Sequence, residues 1–167
     1  MTLASSSRAK VTLPTEEQIL IEREFEAPKH LVYEAYTTPD LVKRWWHARR
    51  GQVTLVEIDL RVGGSWRYVM VANDGTEVGF HGEYRDIVPN ERIVSTEVYE
   101  GLPEGVSEED AATLNTTTFA EANGRTRLTI LVQAKSKVAR DAIIDSGMED
   151  GLQDALDLLD QAALSLP

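Results

Sequence analysis

Ser146-Gly-Met-Glu-Asp-Gly-Leu-Gln-Asp-Ala-Leu-Asp-Leu-Leu-Asp-Gln-Ala-Ala-Leu164, close to the end of the chain, is the stretch that decides the fold. Apolar residues recur at Ile144, Met148, Leu152, Ala155, Leu159 and Ala162, steps of four or three residues that put them on one face of an α-helix. Ser146 and Glu149 have the spacing of a capping box, each side chain able to satisfy a free backbone N–H. Glu149 and Asp150 also suit the positive end of the helix dipole. Gly151 falls on the apolar side, where a missing side chain lets a backbone or a ligand approach. Almost everything before this helix reads as strand. One long helix after a large antiparallel sheet predicts a sheet that curls around it.

Outward from the helix, charge is the next constraint. The chain of 167 residues carries 17 Lys and Arg against 28 Asp and Glu, a net charge of −11. That balance argues against general nucleic-acid binding, which neutralises phosphates. No basic residue follows Arg140, whereas Asp141, Asp145, Glu149, Asp150, Asp154, Asp157 and Asp160 do. The simpler reading is the solvated face of a surface helix; the sharper one is an acidic docking face. The chain has no cysteine, hence no disulfide and no thiolate metal site. Met1 to Lys10 lacks the apolar run of a secretory signal, and no stretch approaches the length of a membrane span. These features place the protein in the cytoplasm, away from membranes.

Met1 to Pro14 is Ser-rich and aperiodic and is expected to be a loosely attached tail, leaving residues 15–167 as one domain. Gln18 to Glu26 alternates as a half-buried strand, with Arg23 on the apolar side. Arg23 must either reach solvent along its stem or pair with an acid inside. Pro28 opens one short helix, and Asp40 caps a second that carries Trp45 and Trp46. Those tryptophans either seal the core and an edge or form a pocket mouth. Strands follow at Gln52 to Leu60, Ser65 to Ala72, Thr76 to Val88, Arg92 to Tyr99, Thr113 to Glu121 and Arg125 to Ala134. Asn123-Gly124 is a hairpin signal between the last two. Gly101 to Ala112 reads as an acidic loop, and Ser136 as the start of a short helical lead-in broken near Gly147.

Several motifs in this order carry a resemblance. They are Arg23-Glu-Phe-Glu-Ala-Pro28, Ala35-Tyr-Thr-Thr-Pro39, Leu41-Val-Lys-Arg-Trp-Trp46 and Asp59-Leu-Arg-Val-Gly-Gly64. Trp66-Arg-Tyr68, Gly82-Glu-Tyr84, Pro89-Asn-Glu-Arg92 and Gly147-Met-Glu-Asp-Gly151 continue the series. The chain resembles the SRPBCC superfamily with its START-like helix-grip fold. More narrowly it resembles the family named after the activator of heat-shock protein 90 ATPase, in its calicheamicin-resistance-type branch. It departs at His47-Ala48, where that family more often has glycine and proline. The resemblance implies an α+β helix-grip fold, with a seven-stranded curved antiparallel sheet around the C-terminal helix in the order β-α-α-β6-α. It also implies a cavity between sheet and helix for an apolar small molecule. It carries no universal catalytic set, so the site must be argued from the residues.

Histidines 30, 47 and 81 are far apart and lack metal-ligand spacing, so no metal is expected. No nucleophile elbow, phosphate loop or dinucleotide fingerprint is present, so no cofactor is expected. Alternation places Trp66, Tyr68 and Met70 on one strand face, and Phe80, Gly82 and Tyr84 on another. Ile130 on the last strand and Met148 and Leu152 on the helix complete an apolar wall, with Trp45 and Trp46 at its edge. These residues are the expected ligand contacts: mostly apolar, with two phenols to orient a ligand. The leading expectation is a binder of a small apolar or aromatic molecule without catalysis. A cyclase- or hydrolase-type enzyme would use Tyr68, Tyr84 or His81 as proton donor, and for His81 that requires an inward-facing ring. A chaperone-activator-like interaction module is the third reading. A homodimer is kept as a candidate assembly.

Overall fold

The computed structural model describes residues 8–167. Its strands are β1 (Lys10–Thr12), β2 (Gln18–Phe25), β3 (Gly51–Ile58), β4 (Ser65–Ala72), β5 (Glu77–Val88), β6 (Arg92–Tyr99), β7 (Thr113–Ala122) and β8 (Arg125–Gln133). The helices are α1 (Lys29–Thr37), α2 (Pro39–Val42), α3 (Glu108–Ala111), α4 (Lys137–Asp145) and α5 (Met148–Leu164). The strands form one antiparallel sheet in the order β1-β2-β8-β7-β6-β5-β4-β3. The inner face of that sheet, α1 and α5 share one core, with Phe25, Phe119, Leu128, Leu156 and Leu159 fully enclosed. No helix among the described residues is long and apolar enough to cross a membrane.

The sheet has eight strands, not the expected seven. The addition, β1, lies in the segment read as a loose tail; residues 1–7 of that segment lie outside the described ones. β1 pairs with β2 from Lys10↔Glu22 to Thr12↔Leu20. It is tied down by Gln153 of α5, whose Oε1 accepts from the Ala9 N–H (2.9 Å) and whose Nε2 donates to the Ala9 carbonyl (2.8 Å). The side-chain amide thus satisfies both backbone groups of one residue. Its partner is 144 positions away, so local pattern carries no trace of the anchor. The acidic loop after β6 also holds a short helix, α3, capped by Ser107.

The decisive helix is shorter than its pattern. Gly147 adopts φ +81° and divides the stretch, because a left-handed residue ends one helix and starts the next. Ser146 closes α4, and its hydroxyl donates to the Ile143 carbonyl. The capping box with Glu149 is therefore not made. Ser136 caps α4 as expected, accepting from the Ala139 N–H at 3.0 Å.

The buried face of α5 is also rotated from the apolar stripe. Gln153, Ala155, Leu156, Leu159, Asp160, Ala162 and Ala163 are buried, whereas Met148 and Leu152 are half-buried. No backbone approaches Gly151; the nearest group to a side chain there would be the Arg50 guanidinium, at 3.9 Å.

Glu149 and Asp150 of α5 stay exposed, as a solvated face requires, but the three acids that follow meet partners. Asp154 holds Arg50 (2.8 Å) and Arg49 (3.4 Å), and Asp157 holds Arg23 (2.6 Å). Asp160 is buried and accepts from the backbone N–H of Glu26. Spaced at i, i+3 and i+6, these three form a seam joining the helix to β2 and to the segment before β3. Arg23 takes the inward alternative, with its guanidinium 5.2 Å from the Phe25 ring centre.

Candidate functional site

Register places the aromatic residues on one face. Trp66 pairs with Gly82 and Tyr68 with Phe80 across β4 and β5, and Phe80 and Tyr84 pair with Tyr99 and Ser95 across β5 and β6. Trp66, Tyr68 and Tyr84 are buried in the core shared with α5, and Phe80, Met148 and Leu152 pack at its margin. Trp46 stands edge-on to Tyr68 (5.5 Å) and Phe80 (5.8 Å), and Trp66 tilts against Tyr68 at 4.9 Å. Trp46, Trp66, Tyr68 and Phe80 thus form a continuous aromatic panel.

The other proposed contacts lie elsewhere on the wall. Trp45 points the opposite way, stacked on Tyr36 at 5.5 Å with its indole N–H on the Ala35 carbonyl. The pair divides, Trp45 into the core and Trp46 onto the panel. Met70 is half-buried further along β4, opposite Val53 and Val78. Ile130 is half-buried on β8, between Ile21 and Thr117.

Gly82 makes the panel geometrically feasible. The Trp66 indole lies across β5 at this position and donates to the Thr96 carbonyl on β6 (3.2 Å). A side chain here would put its Cβ 1.8 Å from that oxygen and 2.6 Å from the indole nitrogen. Gly82→Ala is therefore expected to cost about 2–3 kcal/mol, as overpacking against backbone does. A thermal melt should show a midpoint lower by roughly 4–12 °C. An unchanged midpoint would mean that the indole does not occupy this space.

The structure also brings together a polar set that the sequence reading did not single out. Lying between the pairs Phe80↔Tyr99 and Tyr84↔Ser95, Gly82 stands opposite Glu97. The Glu97 carboxylate thus faces the same concavity as the panel. It accepts from Asn115 Nδ2 at 2.8 Å, and Asn115 Oδ1 accepts from the Thr113 hydroxyl at 2.9 Å. Desolvation raises the Glu97 pKa, partly offset by the Asn115 hydrogen bond. Burial raises the Tyr68 phenol well above its ordinary value, with Tyr84, Tyr36 and Glu97 adding to the effect. Tyr84 and Tyr36 are likewise raised, chiefly by burial. Three phenols and one carboxyl therefore converge beneath the helix. The parity of Arg92 to Tyr99 held the signal: Val94, Thr96 and Val98 oppose Ile93, Ser95, Glu97 and Tyr99, and neither side is wholly apolar.

His81 faces away from this site. Its ring bridges Glu100 (2.8 Å) and Glu108 of α3 (3.2 Å) on the outer surface, and Arg67 grips Glu100 through two hydrogen bonds. Arg67 and His81 hold the Glu100 carboxyl down to about 2, the Arg67 hydrogen bond being the largest cause. The enzyme reading thus loses its histidine and keeps only Tyr68 and Tyr84 as donors. Two grooves, of about 360 and 390 Å³, are lined largely by outer-face residues such as Lys10, Glu22, Arg127, Ala120 and Ala122. Neither touches the aromatic panel. Among the described residues, no three His, Cys, Asp or Glu side chains are grouped to hold a metal ion.

Solved structures with this architecture are numerous. A crystal structure from Rhodobacter sphaeroides is 25% identical, covers 95% of this chain and 99% of its own, and superposes with a TM-score of 0.84. A solution structure from Arthrobacter aurescens is 23% identical over 94% of this chain and 92% of its own, with a TM-score of 0.80. The AHSA1-like protein from Aeromonas hydrophila is 23% identical over 89% and 92%, with a TM-score of 0.69. Among curated proteins nothing matches the chain. The family model described as activator of Hsp90 ATPase homolog 1-like protein matches residues 26–163, from the end of β2 to the last turn of α5. With the helix-gripping sheet and the motif series on the same residues, the chain belongs to the activator of Hsp90 ATPase homolog 1-like family.

Proposed function

We propose that this protein binds a small apolar or aromatic molecule between the concave face of the sheet and α5, without carrying out chemistry on it. The observation that carries this reading is residual exposure on a covered face. Phe80, Gly82, Ser95, Glu97 and Asn115 all point toward α5, yet each keeps part of its surface accessible, as do Met148 and Leu152 opposite. In a fully packed core such residues would be closed off. Together with the panel they offer what small-molecule sites have, apolar walls with a few convergent polar groups. The motif resemblance to the calicheamicin-resistance branch points the same way. We also propose a cytoplasmic location, which the cysteine-free sequence fits.

The test uses Nile red, a neutral environment-sensitive dye. It should bind the native protein with saturation, and Trp46→Ala should weaken binding by roughly two- to tenfold, since a well-packed aromatic contact is worth about 0.5–1.5 kcal/mol. Native mass spectrometry of freshly purified protein should show a retained small molecule and will give the subunit count. Dye fluorescence that rises only as the protein begins to melt would overturn the reading.

A further inference from the structure

We propose that the ligand of this cleft is an organic cation, an aromatic or alkyl amine whose ammonium pairs with Glu97 while its apolar part lies on the panel of Trp46, Trp66, Tyr68 and Phe80. The inference rests on the binding reading above and adds the chemical class of the ligand.

The first argument is charge. Glu97 is the carboxylate on the inner face of β6 beside the panel, and it forms no salt bridge among the described residues; Glu121, on the same face at the far end of β7, is already taken by the Lys29 backbone N–H at the start of α1 (2.8 Å). The titratable groups that sense its charge are phenols, Tyr68 on β4 and Tyr36 on α1; Tyr84 on β5 couples to both, and Asp59 acts on Tyr84 in turn. The basic residues nearby in the fold are committed elsewhere. Arg50 is held by Asp154, Arg61 by Asp59, and Arg67 sits with Glu100 on the outer face. A half-buried carboxylate with one side-chain amide donor and no cationic partner is only partly compensated, and an ammonium supplies the missing charge.

The second argument is the neighbourhood. Opposite Gly82, the Glu97 side chain meets the space over which the Trp66 indole is drawn by its bond to Thr96. Aromatic faces beside a carboxylate are the two components that recognise ammonium groups, through cation–π attraction and ion pairing. A neutral aromatic ligand would use the panel and leave the acid uncompensated. An anionic one would be repelled by Glu97 and by the net charge of −11, which draws cations toward the protein.

Protonation gives the reading a pH signature. Burial raises the Glu97 carboxyl in the free protein, and an ammonium ligand favours the ionised form. Amine affinity should therefore be full above the free-state pKa of Glu97 and decline as pH falls through it. A neutral ligand should show no such decline.

The experiment compares two probes of nearly the same shape, 1-naphthylmethylamine and 1-naphthalenemethanol, by calorimetric titration. The amine should bind wild type at least about tenfold more tightly than the alcohol. Glu97→Gln, which keeps an oxygen for Asn115, should erase that preference and the pH dependence, leaving alcohol affinity within about twofold. Saturable binding of both probes without an amine preference would overturn the role of Glu97 and leave the cleft intact. A preference that survives in Glu97→Gln would do the same. Failure of both probes to bind native protein would overturn the cleft reading and this one together.

Discussion

A Leu159→Asp variant is expected not to fold, whereas Leu152→Asp is expected to fold with a modestly lower midpoint. Leu159 has no exposed surface and lies among Phe25, Phe119 and Leu128 in the shared core. Its replacement removes a fully buried leucine, a loss of about 2–5 kcal/mol, and sets a carboxylate where no partner is available. The total, about 5 kcal/mol or more, is comparable to the whole stability of an ordinary domain. Leu152 is half-buried at the margin, where an aspartate can turn toward water, so its cost should be nearer 1 kcal/mol. Circular-dichroism melts of both variants would decide the matter. A cooperative Leu159→Asp melt at the wild-type midpoint would mean that α5 packs by another face.

Arg23→Met should be the next most damaging change. The Arg23 side chain is only 5% exposed; it bonds Asp157 at 2.6 Å and lies beside buried Asp160. Arg23 Nε and Asp160 Oδ1 are both buried without a protein partner, so this corner is already under-satisfied. Removing one partner of a buried ionic set typically costs about 3–5 kcal/mol, because the remaining charge stays behind. Burial raises the Asp160 pKa, and Arg23 pulls it back down. Without Arg23 the carboxyl should rise further. A folded-state pKa above the unfolded value means that the folded form binds more protons, so stability increases as pH falls through it. The deficit of Arg23→Met against wild type should therefore shrink on acidification, and Arg23→Met with Asp160→Leu should recover much of it at pH 7. A constant deficit from pH 7 to pH 4, with no recovery in the double variant, would show that only packing was lost. Glu100 works in the opposite sense. Its depressed pKa, about 2, gives stability that is present above the unfolded carboxylate range and lost as pH falls toward 2.

The elements were mostly legible because alternation and helical spacing are local. Ser65–Ala72 and Arg92–Tyr99 have the bounds their patterns predict, and the other long strands differ by one or two residues at an end. Panel parity was legible for the same reason: two aromatics gain more from burial than a histidine and two charges, so Phe80 and Tyr84 turn in and His81 turns out. The divided roles of Trp45 and Trp46 were not, since a short turn can direct adjacent side chains in several ways. The acidic clamp and the Gln153 anchor were not legible because their partners are distant in sequence. Asp157 meets Arg23 across 134 positions, and Gln153 meets Ala9 across 144. Glu97 was passed over for a related reason. A polar residue on an alternating strand is assigned to water unless something inside accepts it, and Asn115 is on another strand.

Taken alone, then, the sequence determined the curled antiparallel sheet, the C-terminal helix against it and the aromatic wall between them, since periodicity and burial preference suffice for each. Tertiary structure alone decided that the helix presents Gln153 and Asp160 inward, that an eighth strand joins the edge, and that a carboxylate lies under the helix. Each depends on a buried polar group meeting a partner far along the chain, and the energy of such a pair exists only once the fold has brought the two together.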